Sequence, residues 1–184
     1  RKLMFVKECD AVVCYPGGFG TLDEALEVLT LIQTGKRELV PVIFADAPGG
    51  NFWTTLDHFI REHLLRDGMI SPDDLHLYSV TDNYKEAAQE VMNYYRVFHS
   101  MRYIGRDLVL RLQQPLSESL LATINQDFAD ILNGGEFEQH AGRLEEEKDD
   151  ETTNDMSRLI FNFNRRAHGR LRLLINLIND SADE

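Results

Sequence analysis

Asp10-Ala11-Val12-Val13-Cys14-Tyr15-Pro16-Gly17-Gly18-Phe19-Gly20-Thr21-Leu22-Asp23-Glu24 is the stretch that decides the fold. Residues 10–15 read as a short buried strand, apolar after its opening Asp. Residues 16–20 combine one proline with three glycines, the composition of a tight turn. From residue 21 the period changes. Leu22, Ala25, Leu26, Leu29 and Ile32 recur at helical spacing, which predicts an amphipathic helix over 21–34. Gly35 then ends it, followed by Lys36 and Arg37. A strand that passes through a glycine turn into a helix is the opening of a parallel α/β unit.

Downstream the alternation continues. Residues 39–45 are nearly all apolar, as in a strand buried on both faces, although Pro41 cannot donate to a ladder. A turn at 47–51, a helix over 52–66, a strand over 75–80 and a helix over 83–95 follow. Three strands are few for a parallel sheet. The sequence also opens without Met, in what reads as the end of a helix over 1–8. We therefore expect the later part of a longer protein, with earlier strands of the parallel sheet lying before residue 1.

After residue 95 the pattern changes, which predicts a boundary between 1–95 and 96–184. A hairpin is expected from 101–104 and 108–113 around Gly105-Arg106-Asp107. A helix over 117–132 follows, with Ser117 as N-cap and Gly134 past its end, then strands over 136–144 and 158–164 and a helix over 168–179. Residues 145–155 are acidic with almost no apolar member and read as a solvated or disordered loop. The order predicts a small α+β module of ferredoxin-like type.

The whole chain has 184 residues, 43% hydrophobic, with a net charge of -12. That charge argues against a duplex nucleic-acid partner, because phosphate backbones demand basic patches, but a local loop can still hold a small anion. No run of about 18 apolar residues occurs, so no membrane partner is expected. No signal peptide is visible in the opening residues. The two cysteines, Cys9 and Cys14, make no disulfide framework and favour a reducing cytoplasm.

The glycine turn has a chemical reading. Glycines let backbone N–H groups approach a ligand closely, and the following helix aims its free amides and dipole at the same place. Together with the Thr21 hydroxyl they form a site for a phosphate. Glu24, one turn into the helix, is repelled by phosphate and suits a neighbouring centre that becomes positive. The oxocarbenium-like transition state of N-glycosidic cleavage is such a centre. There a carboxylate stabilises the cation or activates water. Two structural readings stand beside this. Thr21-Leu22-Asp23-Glu24 fits a capping box in which Glu24 merely caps the helix. A carrier or sensor that binds nucleotide without turnover would show the same turn.

The run from Pro16 to Glu24 resembles the PGGxGTxxE signature of the Lonely Guy family, Rossmann-like phosphoribohydrolases long mislabelled as lysine decarboxylases. Arg1-Lys2-Leu3-Met4 resembles that family's RKxxM segment. Asp10-Ala11, Thr34-Gly35-Lys36 and Pro41-Val42 follow the same pattern, so the likeness covers residues 1 to about 95. The resemblance implies that Arg1 and Glu24 form the catalytic pair and that Gly17, Gly18, Gly20 and Thr21 cradle a 5′-phosphate. It implies hydrolysis of a nucleoside 5′-monophosphate to free base and ribose 5-phosphate, with no metal or organic cofactor. It also implies a homodimer or higher homo-oligomer. The family's earlier glycine-rich segment has no counterpart here, which leaves the base unread. The long tail resembles bacterial members with an added C-terminal region.

Other candidates are weighed by spacing. Glu27, one turn beyond Glu24, is open to contact with ribose hydroxyls or to plain solvation. His58 and His63 do not share a helix face, which argues against a metal pair. Trp53, Phe52 and Phe59 read as core or interface. The basic cluster Arg165, Arg166, Arg170 and Arg172 reads as a solvated helix start offsetting the acidic loop, with an anionic-effector site as the other reading. A pyridoxal-dependent decarboxylase would need a distinctive lysine. None of Lys2, Lys7, Lys36, Lys85 and Lys148 sits in a glycine-rich context.

Overall fold

The structure is a computed structural model and describes residues 8–147 and 151–181. Contacts divide it into two units. One runs up to Asn93 and includes His168–Arg172; the other comprises Tyr94–Ala167 and the chain from Leu173 onward.

The first unit is a parallel α/β layer, as the alternation predicts. Strands β1 (Val12–Cys14), β2 (Val42–Ala45) and β3 (Ser79–Thr81) pair in that order. Val12 lies opposite Val42, and Ile43 opposite Ser79, all strands running the same way. Helix α1 (Phe19–Gln33) crosses from β1 to β2. Helix α2 (Phe52–Phe59), which continues as a π-helical stretch (Ile60–Leu65), and a 3-10 turn (Pro72–Leu77) lead from β2 to β3. Helix α3 (Tyr84–Tyr94) follows β3.

Every residue of the central strand β2 is buried, so alternate side chains must feed opposite faces. Phe44 stacks on Trp53 of α2 at 4.5 Å between ring centroids and leans on Tyr78. Ile43 and Ala45 pack with Ala87 and Val91 of α3. Pro41 causes no fault, because it stands just before β2 and its carbonyl accepts from the Val12 amide at 3.0 Å.

One predicted strand is corrected. Residues 75–77 belong to the 3-10 turn and only Ser79–Thr81 pair. Ser71-Pro72 starts a turn that the apolar leucines alone do not reveal. The Ser71 amide donates to the Asp74 carboxylate at 2.8 Å in a capping box, with Pro72 preset at the first position.

His168–Arg172, the first turns of helix α5 (His168–Asp180), pack within this unit. A Cβ on Gly169 would lie 2.1 Å from the Asp73 carbonyl oxygen, and one on Gly35 would lie 2.7 Å from the His168 ring. Arg172 is buried and pairs with Glu90 at 2.7 Å, so at this position the basic cluster is not a solvated face.

The second unit is an antiparallel sheet with helices. Strands β4 (Phe98–Ile104), β5 (Asp107–Leu112), β6 (Glu138–His140) and β7 (Ser157–Phe161) lie in the order β4-β5-β7-β6. Helix α4 (Glu118–Asp127) follows the predicted hairpin, and Ser117 caps it by accepting from the Leu120 amide at 3.2 Å. All neighbours are antiparallel, and the strand order is that of a ferredoxin-like sheet. The chain enters that sheet elsewhere, reading ββαββα instead of βαββαβ.

The acidic run departs from expectation. Glu147 has no exposed surface. Arg111 on β5 and Arg158 on β7 stand opposite each other, and each donates to Glu147 at 2.8 Å. Arg158 also donates to the Thr153 carbonyl at 2.8 Å and to the Met156 carbonyl. The run is thus tied to one face of the sheet by the single carboxylate that satisfies two buried guanidiniums. Sequence composition hides this, because one buried Glu among six exposed or undescribed acidic neighbours does not change the hydropathy of the segment. Burial alone would raise the Glu147 carboxyl, but hydrogen bonds from Arg158, Arg111 and the Leu144 amide, with the Arg158 charge, hold it below the usual range. Among the described residues, no helix is long and apolar enough to cross a membrane.

Two outcomes follow from this packing. Gly169→Ala should lower unfolding stability by about 1–3 kcal/mol in denaturant titrations, because the backbone carbonyl of Asp73 cannot yield. Glu147 has a folded pKa below its unfolded one, near 4.3. Its stabilisation is complete above that unfolded value and is lost as pH falls through the folded one. Glu147→Gln should therefore cost about 3–5 kcal/mol near pH 7 and flatten the decline in stability between pH 5 and 3, read by denaturant midpoints at each pH.

Candidate active site

In a parallel sheet all carboxyl ends face one edge, and ligands of such folds bind there. Three connections meet that edge: the glycine turn after β1, the loop 46–51 after β2 and the short loop 82–83 after β3. Backbone and carboxylates knit the last two together. The Asp46 amide donates to the Thr81 carbonyl at 2.8 Å, and the Gly49 amide donates to Asp82 at 2.9 Å. Asp46 is buried and accepts from the Trp53 amide at 3.0 Å, which anchors the start of α2. Sequence reasoning passed over Asp46. Its signal is a carboxylate placed directly after an unbroken apolar strand. A shallow pocket lined by Pro48, Asp82, Asn83, Tyr84 and Lys85 opens at this edge.

Helix α1 starts earlier than its apolar period suggests. It begins at Phe19 with Gly18 as N-cap, and the amides of Thr21 and Leu22 both donate to the Gly18 carbonyl, at 3.0 and 3.2 Å. Gly20 and Thr21 therefore lie inside the first turn. The amides of Phe19 and Gly20 have no acceptor within the helix, which leaves them for an anion. This start also overturns the capping-box reading. The N-cap has no side chain, and Glu24 is the sixth residue of the helix, too deep to reach back to it.

The glycines act by space, not by unusual dihedrals, since none of Gly17, Gly18 and Gly20 takes a positive φ. A Cβ on Gly17 would stand 2.2 Å from the Thr21 hydroxyl oxygen. That hydroxyl is seated against the turn. A Cβ on Gly18 or Gly20 would meet nothing within 4 Å, so both backbones border open space.

Glu24 lies one turn past Gly20 and is half-buried. Glu27, three residues on, is half-buried and has one carboxylate oxygen enclosed, so plain solvation does not describe it. Arg1, the other member of the expected pair, lies outside the described residues. The structure thus brings Gly17, Gly18, Gly20, Thr21 and Glu24 onto one strand-turn-helix. Burial pushes the Cys14 thiol up, in keeping with a small hydrophobe in β1. His63 packs against the Phe59 ring at 5.0 Å, and no group of three or more potential metal ligands assembles among the described residues.

Parallel strands, helices on both faces of the sheet and a glycine turn at its carboxyl edge define a Rossmann-like α/β protein. Residues 1–91 match the family model described as possible lysine decarboxylase, and through them the chain belongs to the Lonely Guy family. It is 34% identical over 94 residues to the cytokinin riboside 5′-monophosphate phosphoribohydrolase LOG1 of Arabidopsis thaliana, covering 51% of this chain and 42% of that protein. With LOG5 of the same plant it is 31% identical over 116 residues, 62% of this chain and 49% of the relative. With the probable enzyme LOGL2 of Oryza sativa subsp. japonica the figure is 31% over 94 residues, 51% of this chain and 37% of the relative. The matched region thus spans less than half the length of each of these relatives.

Two glycine substitutions separate packing from binding. Gly17→Ala displaces the Thr21 hydroxyl and, on the phosphate-cradle reading of the turn, should weaken binding of a nucleoside monophosphate at least about tenfold by calorimetry, one lost charge-assisted hydrogen bond being worth about 1.5–3 kcal/mol. Gly20→Ala fills open space in a helix and should raise thermal stability slightly, by up to about 1 kcal/mol, while still impairing phosphate binding.

Proposed function

We propose that the first unit carries the phosphate cradle and the key carboxylate of a nucleoside 5′-monophosphate phosphoribohydrolase. One observation carries this reading: the Thr21 hydroxyl is seated against Gly17, beside open backbone at Gly18 and Gly20, one helical turn before Glu24. The printed activities of the relatives support it and make cytokinin riboside 5′-monophosphate one substrate to test.

The 5′-phosphate sits on the amides of Phe19 and Gly20 and on Thr21, where the positive end of the helix dipole meets it. The ribose then extends along the flank of α1 that carries Glu24 and Glu27. As the N-glycosidic bond lengthens, positive charge grows at the anomeric carbon and its ring oxygen. Glu24 stabilises that charge and draws a proton from the attacking water. Water oxygen bonds to the anomeric carbon, the base departs with the bonding pair and takes up a proton, and ribose 5-phosphate remains. Arg1 orients Glu24 or holds the phosphate, and Glu27 reaches the ribose hydroxyls. No cofactor takes part. With this reading go a cytoplasmic location and a homo-oligomer.

Full-length protein incubated with purine, pyrimidine and cytokinin nucleoside monophosphates should release free base, followed by chromatography. Glu24→Gln should lower kcat by about 100-fold or more, with phosphate binding kept. A parent protein that binds nucleotide but releases no base from any member of the panel would be a carrier or sensor.

A further inference from the structure

The two flanks of helix α1 face different ways. Leu26, Leu29 and Gln33 line a groove shared with Ile60 and Leu64 of the π-helical stretch and with Leu77 of the 3-10 turn, so this flank is turned toward α2. At about 100° per residue, Glu24 lies about 140–180° around the helix from each of the three. It therefore looks the other way, past β1. Among the described residues that strand has a neighbour on one side only, β2. A sugar held against Glu24 thus lies over the outer edge of β1 and not over β2 or β3.

Tyr15 stands at the end of that edge, between Cys14 of β1 and Pro16 of the glycine turn. The following proline holds it extended, so the alternation of the strand carries through and Tyr15 shares a face with Val13. Val13 lies opposite Ile43, on the face where Ile43 and Ala45 pack against Ala87 and Val91 of α3. That cover does not extend over β1, where Val13 is 38% and Tyr15 60% exposed. Among the described residues, the Tyr15 ring stacks on no other ring and its hydroxyl makes no hydrogen bond. Two other exposed aromatics border the carboxyl edge, and neither is placed to serve Glu24. Phe19 lies about 20° from Leu26 around α1, on the groove flank. Tyr84 follows β3, two strand spacings or about 10 Å from β1.

We propose that Tyr15 is the platform for the base: its ring stacks on the base of a bound nucleoside monophosphate and sets a preference for purines. The proposal rests on the reading of the turn as a phosphate cradle. With the phosphate on the amides of Phe19 and Gly20 and the anomeric carbon at Glu24, the base projects over the β1 edge, where Tyr15 supplies an aromatic surface. Every base has a π-face, so stacking admits both classes, but a purine covers more of the ring than a pyrimidine and gains more. The ring takes no part in bond cleavage. It holds the base while Glu24 meets the sugar.

The test uses full-length protein carrying Glu24→Gln, so that nucleotide is bound without being cut. Calorimetry compares adenosine 5′-monophosphate with ribose 5-phosphate, which carries the same sugar and phosphate and no base. Adding Tyr15→Ala should weaken adenosine 5′-monophosphate about tenfold or more and leave ribose 5-phosphate within about twofold. Tyr15→Phe keeps the ring and should hold both within about twofold. Uridine 5′-monophosphate should bind more weakly at the outset and lose less, so the gap between the two nucleotides narrows in Tyr15→Ala. Equal weakening of adenosine 5′-monophosphate and ribose 5-phosphate would mean that Tyr15 only shapes the turn, and overturns the proposal. So does a Tyr15→Ala protein that keeps its nucleotide affinity, or a Tyr15→Phe protein as weak as Tyr15→Ala. Full-length protein that binds neither ligand, with or without Glu24→Gln, sinks the phosphate cradle and Tyr15 with it. Protein with Glu24 intact that binds both and releases no base removes the hydrolysis alone, and the platform stands on the binding data.

Discussion

Parallel pairing of Val12–Cys14 with Val42–Phe44 is the constraint from which the rest of the first unit follows. Because neighbouring strands run the same way, the chain must cross over between them, and α1 is that crossover. The same direction gathers the glycine turn, Asp46 and Asp82 at one edge. Helix amides then face the turn without any charged side chain being needed to bring an anion there. A net charge of -12 is therefore no obstacle to holding a phosphate, since the attraction is local and built from backbone.

Much of this was legible from sequence. The strand, turn and helix from Asp10 to Gln33 announce themselves by a change of period, and the glycines by their density. The boundaries were less readable. The first turn of α1 contains Phe19 and Gly20, which carry no helical periodicity. The predicted strand at 75–80 lost its first half to a Ser71-Pro72 start whose hydrogen bonds compete with the ladder. The site itself was legible only in part. Glu24 and the glycines stand where the spacing put them, whereas the capping-box alternative could be removed only by seeing that Gly18 is the cap. Asp46 escaped notice because its work, holding the Trp53 amide, is done by a residue that composition treats as the end of a strand.

In the second unit the hairpin, the Ser117 cap and the antiparallel sheet were visible, and the paired charges were not. Arg111 and Arg158 sit in otherwise apolar strands, so pattern reading treats each as an outward-facing position. Both point into a space closed by the acidic run. Which face of a sheet is covered depends on a segment elsewhere in the chain, and no local period records it.

The acidic run looks from its composition like something that could be cut away. Glu147 makes that a poor guide for anyone shortening the protein. Excising residues 145–155 would strip the counter-charge from two guanidiniums that the β5–β7 pair holds out of water, so the sheet would have to open or draw in an anion from solution. A segment that composition marks as filler is thereby a condition for the neighbouring strands to stay together.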